Sequence, residues 1–153
     1  MTATASTRPV LAEARTEQAP VSVLIADDHP LFRRGIARAI HRHPALELVA
    51  EAADGEEALE LIALFEPDVA VLDHRMPGLS GVAVCAALRR RPTRLRTAVI
   101  LLSAFEDADI ISAAVRSGAA GYLGKSASQG AICDAIERVG RGGVAFASAN
   151  GSG

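Results

Sequence analysis

The 153-residue chain has no run of eighteen apolar residues, so it offers no candidate for a membrane-spanning helix, which needs about 20. Nothing near Met1 resembles the hydrophobic stretch of a secretory signal. No basic run stands out and the net charge is −2, which argues against this segment holding nucleic acid through its phosphates. Only two cysteines occur, Cys85 and Cys133, both in apolar helical stretches; they are expected as buried free thiols in a reducing compartment. No internal repeat is present. These absences together lead to the expectation of a soluble, cytoplasmic, single-domain protein. Residues 1–20 are rich in Ala, Thr and Ser, and Glu13 and Glu17 among them speak against an organelle transit peptide. A disordered leader is expected there.

Half of the residues are apolar, enough for a core that needs no disulfide staples. The most informative stretch is 69–81, VAVLDHRMPGLSG. Val69 to Leu72 is a continuous apolar run suited to a strand buried on both faces, and Asp73 stands where it stops. Met76, Pro77 and Gly78 then impose a turn before a helix over 81–90.

The other elements follow the same grammar. VSVLIA over 21–26 reads as a first strand ending in Asp27 and Asp28. Pro30 opens a first helix, with Leu31, Phe32, Gly35, Ile36, Ala39 and Ile40 on one face and Arg33, Arg34, Arg38 and Arg42 on the other. A second strand covers 46–53. Asp54 with Glu57 forms a capping box for a second helix reaching Phe65, which Pro67 closes. Val84, Cys85 and Leu88 face inward from the third helix, and Pro92 follows it. A fourth strand over 97–102 ends at Ser103. The fourth helix, 107–117, carries Ile110, Ile111, Ala114 and Val115 on one side, with Gly118 as its C-cap. A short strand over 119–123 delivers Lys125, and Ser126 or Ser128 caps a fifth helix with Ile132, Ile136 and Val139 inward, ending at Gly140. Residues 141–153, rich in Gly and Ser, read as a linker or tail.

Five strands alternating with five helices predict an α/β fold, a doubly wound five-stranded parallel sheet of flavodoxin-like order 2-1-3-4-5. Asp27, Asp28 and Asp73 then meet in one crevice, with Ser103 and Lys125 arriving beside them. Carboxylates about 5 Å apart repel by roughly 3 kcal/mol at an effective dielectric near 20, so the cluster asks for a cation. All-oxygen ligands favour Mg²⁺ or Mn²⁺, and a phosphoryl group suits such a centre. Four histidines, His29, His41, His43 and His74, show no ligand spacing and are expected at the surface or at caps. A haloacid-dehalogenase-type phosphatase would need a second aspartate two residues after Asp73, where Arg75 stands. A dinucleotide-binding fold would need glycines where Asp27-Asp28-His29-Pro30 stands.

With the acidic pair Asp27–Asp28, Asp73 within DHRMPG, Ser103, Tyr122 and Lys125, the sequence resembles a response-regulator receiver domain of two-component signalling, over 21–140. The segment SGAAGYLGKS, 117–126, further resembles receivers of the NarL/FixJ type, which usually carry a LuxR-like helix-turn-helix. The resemblance implies a CheY-like fold with Asp73 as phosphoacceptor and Mg²⁺ held by Asp27, Asp28, Asp73 and the Arg75 carbonyl. It implies Ser103 and Lys125 on the transferred group, and Tyr122 as a switch that turns inward. A sensor histidine kinase is the implied partner, with homodimers through the fourth and fifth helices or the first and fifth. No output domain follows in this chain, and transcription control through a missing DNA-binding domain is the expected role. A phosphorylation-independent interaction module is the alternative. Ser126 stands where many members have a proline. Arg75 and Phe105 occupy positions that tune acyl-phosphate hydrolysis, and apolar Phe105 implies slow self-dephosphorylation rather than any separate enzymatic activity.

Overall fold

A computed structural model describes residues 19–91, 96–105 and 108–146. Residues 1–18 of the leader expected over 1–20, the Pro92 turn, the Asp107 start of the fourth helix and the tail after 146 lie outside these residues. The strands are β1 (Val21–Ala26), β2 (Leu46–Ala52), β3 (Val69–Asp73), β4 (Ala98–Ser103), β5 (Gly121–Gly124) and β6 (Ala145–Phe146). Between them run α1 (Pro30–Arg42), α2 (Gly55–Phe65), α3 (Gly81–Arg89), α4 (Ala108–Ser117) and α5 (Gln129–Gly140). The sheet order is β2-β1-β3-β4-β5-β6, and every pairing is parallel.

The period of two along a strand divides the core into two layers. Val69 and Val71 of β3 join Ile36 and Ile40 of α1 and Ile132 and Ile136 of α5 on one face. Ala70 and Leu72 join Ile62 of α2 and Val84 and Leu88 of α3 on the other. The β3 side chains are fully buried, which explains an unbroken apolar run in place of alternation. Each buried Val, Leu or Ile contributes about 1.5–3 kcal/mol.

Local signals set the helix ends. Asp54 accepts the Glu57 amide at 2.8 Å, while the Glu57 carboxylate accepts the Ala53 amide at 2.8 Å, one residue before the cap. Ser128, rather than Ser126, caps α5 by accepting the Ala131 amide at 3.0 Å. Gly78 sits at φ +77° in the turn after β3. Gly81 is required by contact, since a Cβ there would lie 2.7 Å from both the Asp73 carbonyl and Leu101 Cδ2. α3 thus starts directly against the end of β3.

Three expectations need correction. The sheet has six strands, because Ala145–Phe146, read as linker, pairs beside β5 with the Ala145 amide donating to Ala120 O at 3.0 Å. Gly142, at φ +100°, turns the chain back there, and the otherwise bare edge of β5 supplies the partners; glycine-rich composition hid a short apolar triplet. Leu31 is 84% exposed rather than part of the α1 core face, since five residues of helix place it about 140° from Ile36. Val115 is likewise exposed on α4, where Ala114 and Ser117 are the buried positions. Both cysteines are free and buried as expected, and burial pushes both thiols above the ordinary range. No described helix is long and apolar enough to cross a membrane.

Candidate functional site

Parallel register gathers the predicted residues at one edge of the sheet. Ala26 lies opposite Leu72, Asp73 opposite Leu102, and Ser103 opposite Gly124. The ladder runs on past the strands, with the His74 amide donating to Leu102 O at 2.7 Å and the Lys125 amide to Ser103 O at 2.8 Å. Asp27, Asp73, Ser103 and Lys125 therefore emerge side by side at the carboxyl ends, the usual position of ligand sites in such folds.

The acidic group is tight and mostly dry. The side chains of Asp27 and Asp73 are 1% and 4% exposed, and that of Asp28 33%. Lys125 Nζ lies 2.8 Å from Asp27 Oδ2 and 3.1 Å from Asp73 Oδ2, and 4.6 Å from the centre of the Phe32 ring. Burial, then the Asp27 charge, pushes Asp73 up to about 6, against the pull of Lys125 and of the Arg75 amide. Burial alone would lower Lys125, yet its hydrogen bonds and ion pairs with the two aspartates outweigh it and hold the ammonium above the ordinary lysine value. The site is therefore an excess of negative charge around one partly buried ammonium.

One ligating atom each from Asp27, Asp28, His29 and Asp73 can be chosen so that all lie within 4.8 Å of one another. The donor set fits a divalent ion on this geometry. Asp27 Oδ2 is buried and held by Lys125 Nζ at 2.8 Å, whereas Asp28 Oδ1 is buried with no hydrogen-bond partner, although His29 Nδ1 lies 3.2 Å away. Hard carboxylate oxygens in such a cluster suit Mg²⁺ or Mn²⁺. Arg75 offers Asp73 its amide, donating to Oδ1 at 3.3 Å, and its guanidinium stacks over the Phe105 ring at 5.3 Å.

Ser103 and Tyr122 stand one step from the acids and share a partner. The Ser103 hydroxyl donates to the Phe105 carbonyl at 2.7 Å and accepts the Phe105 amide at 3.2 Å. The Tyr122 hydroxyl donates to the same carbonyl at 2.8 Å. Tyr122 is 1% exposed, so the tyrosine expected to turn inward is already inside. Two residues of the site escaped the sequence reading. His29, expected at the surface or at a cap, holds the N-cap position of α1 without a side-chain cap, and its ring turns back to the three aspartates; the signal was its place directly after the acidic pair. Arg33, assigned to the solvated face of α1, donates to the Asp27 carbonyl at 2.5 Å and to Glu51 at 3.2 Å, bracing the end of β1.

Comparison with known proteins supports the same assignment. Residues 23–137 match the response regulator receiver domain family. The probable transcriptional regulatory protein NarL of Mycobacterium tuberculosis is 46% identical over 116 residues, covering 76% of this chain and 53% of that protein. The solved receiver domain of the response regulator NarL from Mycobacterium tuberculosis superposes with a TM-score of 0.77 at 44% identity, covering 80% of this chain and 98% of that one. A LuxR-family two-component response regulator from Aurantimonas sp. SI85-9A1 gives 0.79 at 30% identity, covering 88% and 94%. The chain thus spans about half the length of the curated relative and nearly all of the receiver structures. A CheY-like sheet, an acidic cluster at its carboxyl edge and these matches lead to one conclusion: this chain belongs to the response regulator receiver domain family, among its NarL-type members.

Proposed function

We propose that this receiver accepts a phosphoryl group on Asp73 from a phosphohistidine of a partner sensor kinase in the cytoplasm. The observation that carries the proposal is the pairing of Asp73, buried with its pKa near 6, with the Lys125 ammonium 3.1 Å away. A carboxylate so placed is ionised at pH 7 yet poorly solvated, which favours attack. An Asp73 oxygen attacks phosphorus as the bond to the donor nitrogen breaks, the electron pair leaves with the imidazole, and an acyl phosphate results. Lys125 meets the charge on the equatorial oxygens. Mg²⁺, held by Asp27, Asp28, Asp73 and the Arg75 carbonyl, would neutralise charge that Lys125 alone leaves uncompensated.

The readout would run through the Phe105 carbonyl. Ser103 must leave it to reach a phosphoryl oxygen, after which Tyr122 is its remaining hydroxyl donor. That exchange would bias the loop after β4 and the surface of α4, β5 and α5. Homodimers through α4 and α5, or through α1 and α5, and control of transcription by a longer protein follow from the same reading. The chain itself would be a signalling module, with phosphoryl acceptance and slow self-dephosphorylation as its only chemistry.

Intact-mass measurement after incubation with acetyl phosphate and Mg²⁺ tests this. A gain of one phosphoryl group is expected, lost when EDTA replaces the metal; folded protein that gains nothing, from this donor or from the cognate kinase, would refute the proposal. The acyl phosphate should persist for minutes to hours, because apolar Phe105 offers no polar group to align water and the Arg75 guanidinium is stacked on its ring. Phe105→Asn should shorten that lifetime several-fold. Decay of the unmodified protein within seconds would overturn the assignment of slow hydrolysis.

A further inference from the structure

We propose that His29 is a metal ligand, which makes the acidic centre a mixed imidazole and carboxylate site that prefers first-row transition dications such as Ni²⁺ and Co²⁺. The proposal rests on the acidic cluster being a metal centre at all, as read above.

His29 Nδ1 lies 3.1 Å from Asp27 Oδ1, 3.2 Å from Asp28 Oδ1 and 3.8 Å from Asp73 Oδ2. Two ligands about 2.1 Å from one octahedral ion stand about 3 Å apart when adjacent and about 4.2 Å when opposite. All three separations from His29 fall inside that window, and the four ligating atoms together lie within 4.8 Å of one another, so the carboxylates would draw in slightly around an ion. The backbone brings the residue there, since the His29 amide donates to Asp27 Oδ1 at 2.8 Å and α1 begins at the next residue, while the ring, 66% exposed, is held only by these polar contacts.

Hydrogen bonding alone leaves this arrangement unsatisfied. Nδ1 carries either one proton or one lone pair. As a donor it can serve one carboxylate oxygen while opposing Lys125 Nζ, 3.3 Å away. As an acceptor it can take a proton from Lys125 but then faces three carboxylates with a lone pair. Asp28 Oδ1 stays without a hydrogen bond in this arrangement. A dication at the common focus of these atoms satisfies the lone pair and the oxygens together. Imidazole nitrogen is a favoured ligand of Zn²⁺, Cu²⁺ and Ni²⁺ and a poor one for Mg²⁺, so its presence shifts selectivity more than it shifts Mg²⁺ binding.

The test is titration calorimetry of Ni²⁺ and of Mg²⁺ on tag-free protein, comparing the unmodified chain with His29→Ala, His29→Gln and Asp28→Asn. The ratio of Ni²⁺ to Mg²⁺ affinity should fall by about tenfold or more in both His29 variants. In the unmodified chain, stoichiometric Co²⁺ should broaden the ring resonances of His29 before those of His41, a readout that needs no variant to fold. An unmoved ratio, or His29 resonances untouched by Co²⁺, would overturn the role of His29. If Mg²⁺ still binds and Asp28→Asn weakens it, the acidic centre stands and only the imidazole ligand is lost. If Mg²⁺ fails to bind the unmodified chain, both readings fall together.

Discussion

Asp73→Asn is expected to take up no phosphoryl group and, at pH 7, to withstand more urea than the unmodified chain. The first effect follows from removing the nucleophile, since a neutral amide cannot form the acyl phosphate. The second follows from linkage. Burial and the Asp27 charge raise Asp73 from 3.8 to about 6 in the folded state, so the folded protein holds this proton more tightly than the unfolded chain does. Its contribution to stability is complete below pH 4 and is lost as the pH rises through 6. At pH 7 the ionised carboxylate then costs about 1–3 kcal/mol relative to the protonated form, and the neutral asparagine of similar shape avoids that cost. Urea midpoints at pH 4.5 and 7 measure it, and the advantage of the variant should shrink toward the lower pH. Saturating Mg²⁺ should close the gap at pH 7, because an ion that binds only the folded, charged site stabilises the unmodified chain. An Asn variant less stable than its parent at pH 7 would show that the Lys125 ion pair outweighs burial and repulsion.

Lys125→Met should move stability in the opposite direction. The methionine keeps an apolar stem but removes the ammonium that lies over the Phe32 ring and between Asp27 and Asp73, whose side chains are 1% and 4% exposed. Removing one partner of a buried ion pair leaves the other charges uncompensated, a loss of about 3–5 kcal/mol. A protein poised at ordinary stability would then be close to unfolding. Phosphoryl uptake should slow by about a hundredfold, the usual effect of deleting one preorganised donor. Time courses with acetyl phosphate and urea curves with and without Mg²⁺ separate the two effects, since bound metal should recover most of the stability but little of the rate. A variant as stable as its parent without metal would place the lysine in the solvent rather than in the cluster. The pair of substitutions should not add, because Asp73→Asn removes part of the repulsion that Lys125→Met exposes.

Much of the fold could be read from local pattern. The unbroken run before Asp73, the cap at Asp54, and the positive-φ glycines Gly78 and Gly118 each state their structure within a few residues, whereas the choice of Ser128 over Ser126 as the α5 cap was left to the structure. The failures share a cause. Leu31 and Val115 fit an apolar stripe but point away from it, because a stripe read by spacing is wider than the surface the sheet can cover. β6 exists through what β5 offers it and not through its own two residues.

The sequence by itself determined, to within a residue, where the first five strands stop and which residues stand at those stops, since an apolar run ends where its strand leaves the core. That placed Asp27, Asp28, Asp73, Ser103 and Lys125 at strand ends and made the acidic crevice inferable. Only the tertiary structure decided the directions of side chains and the partners they share: the His29 ring among the aspartates, Arg33 on the Asp27 carbonyl, Ser103 and Tyr122 on one carbonyl. The physical reason is that hydrophobic periodicity fixes which face of the backbone is buried, whereas a polar side chain at a strand end takes its direction from charges and carbonyls that distant segments bring to it.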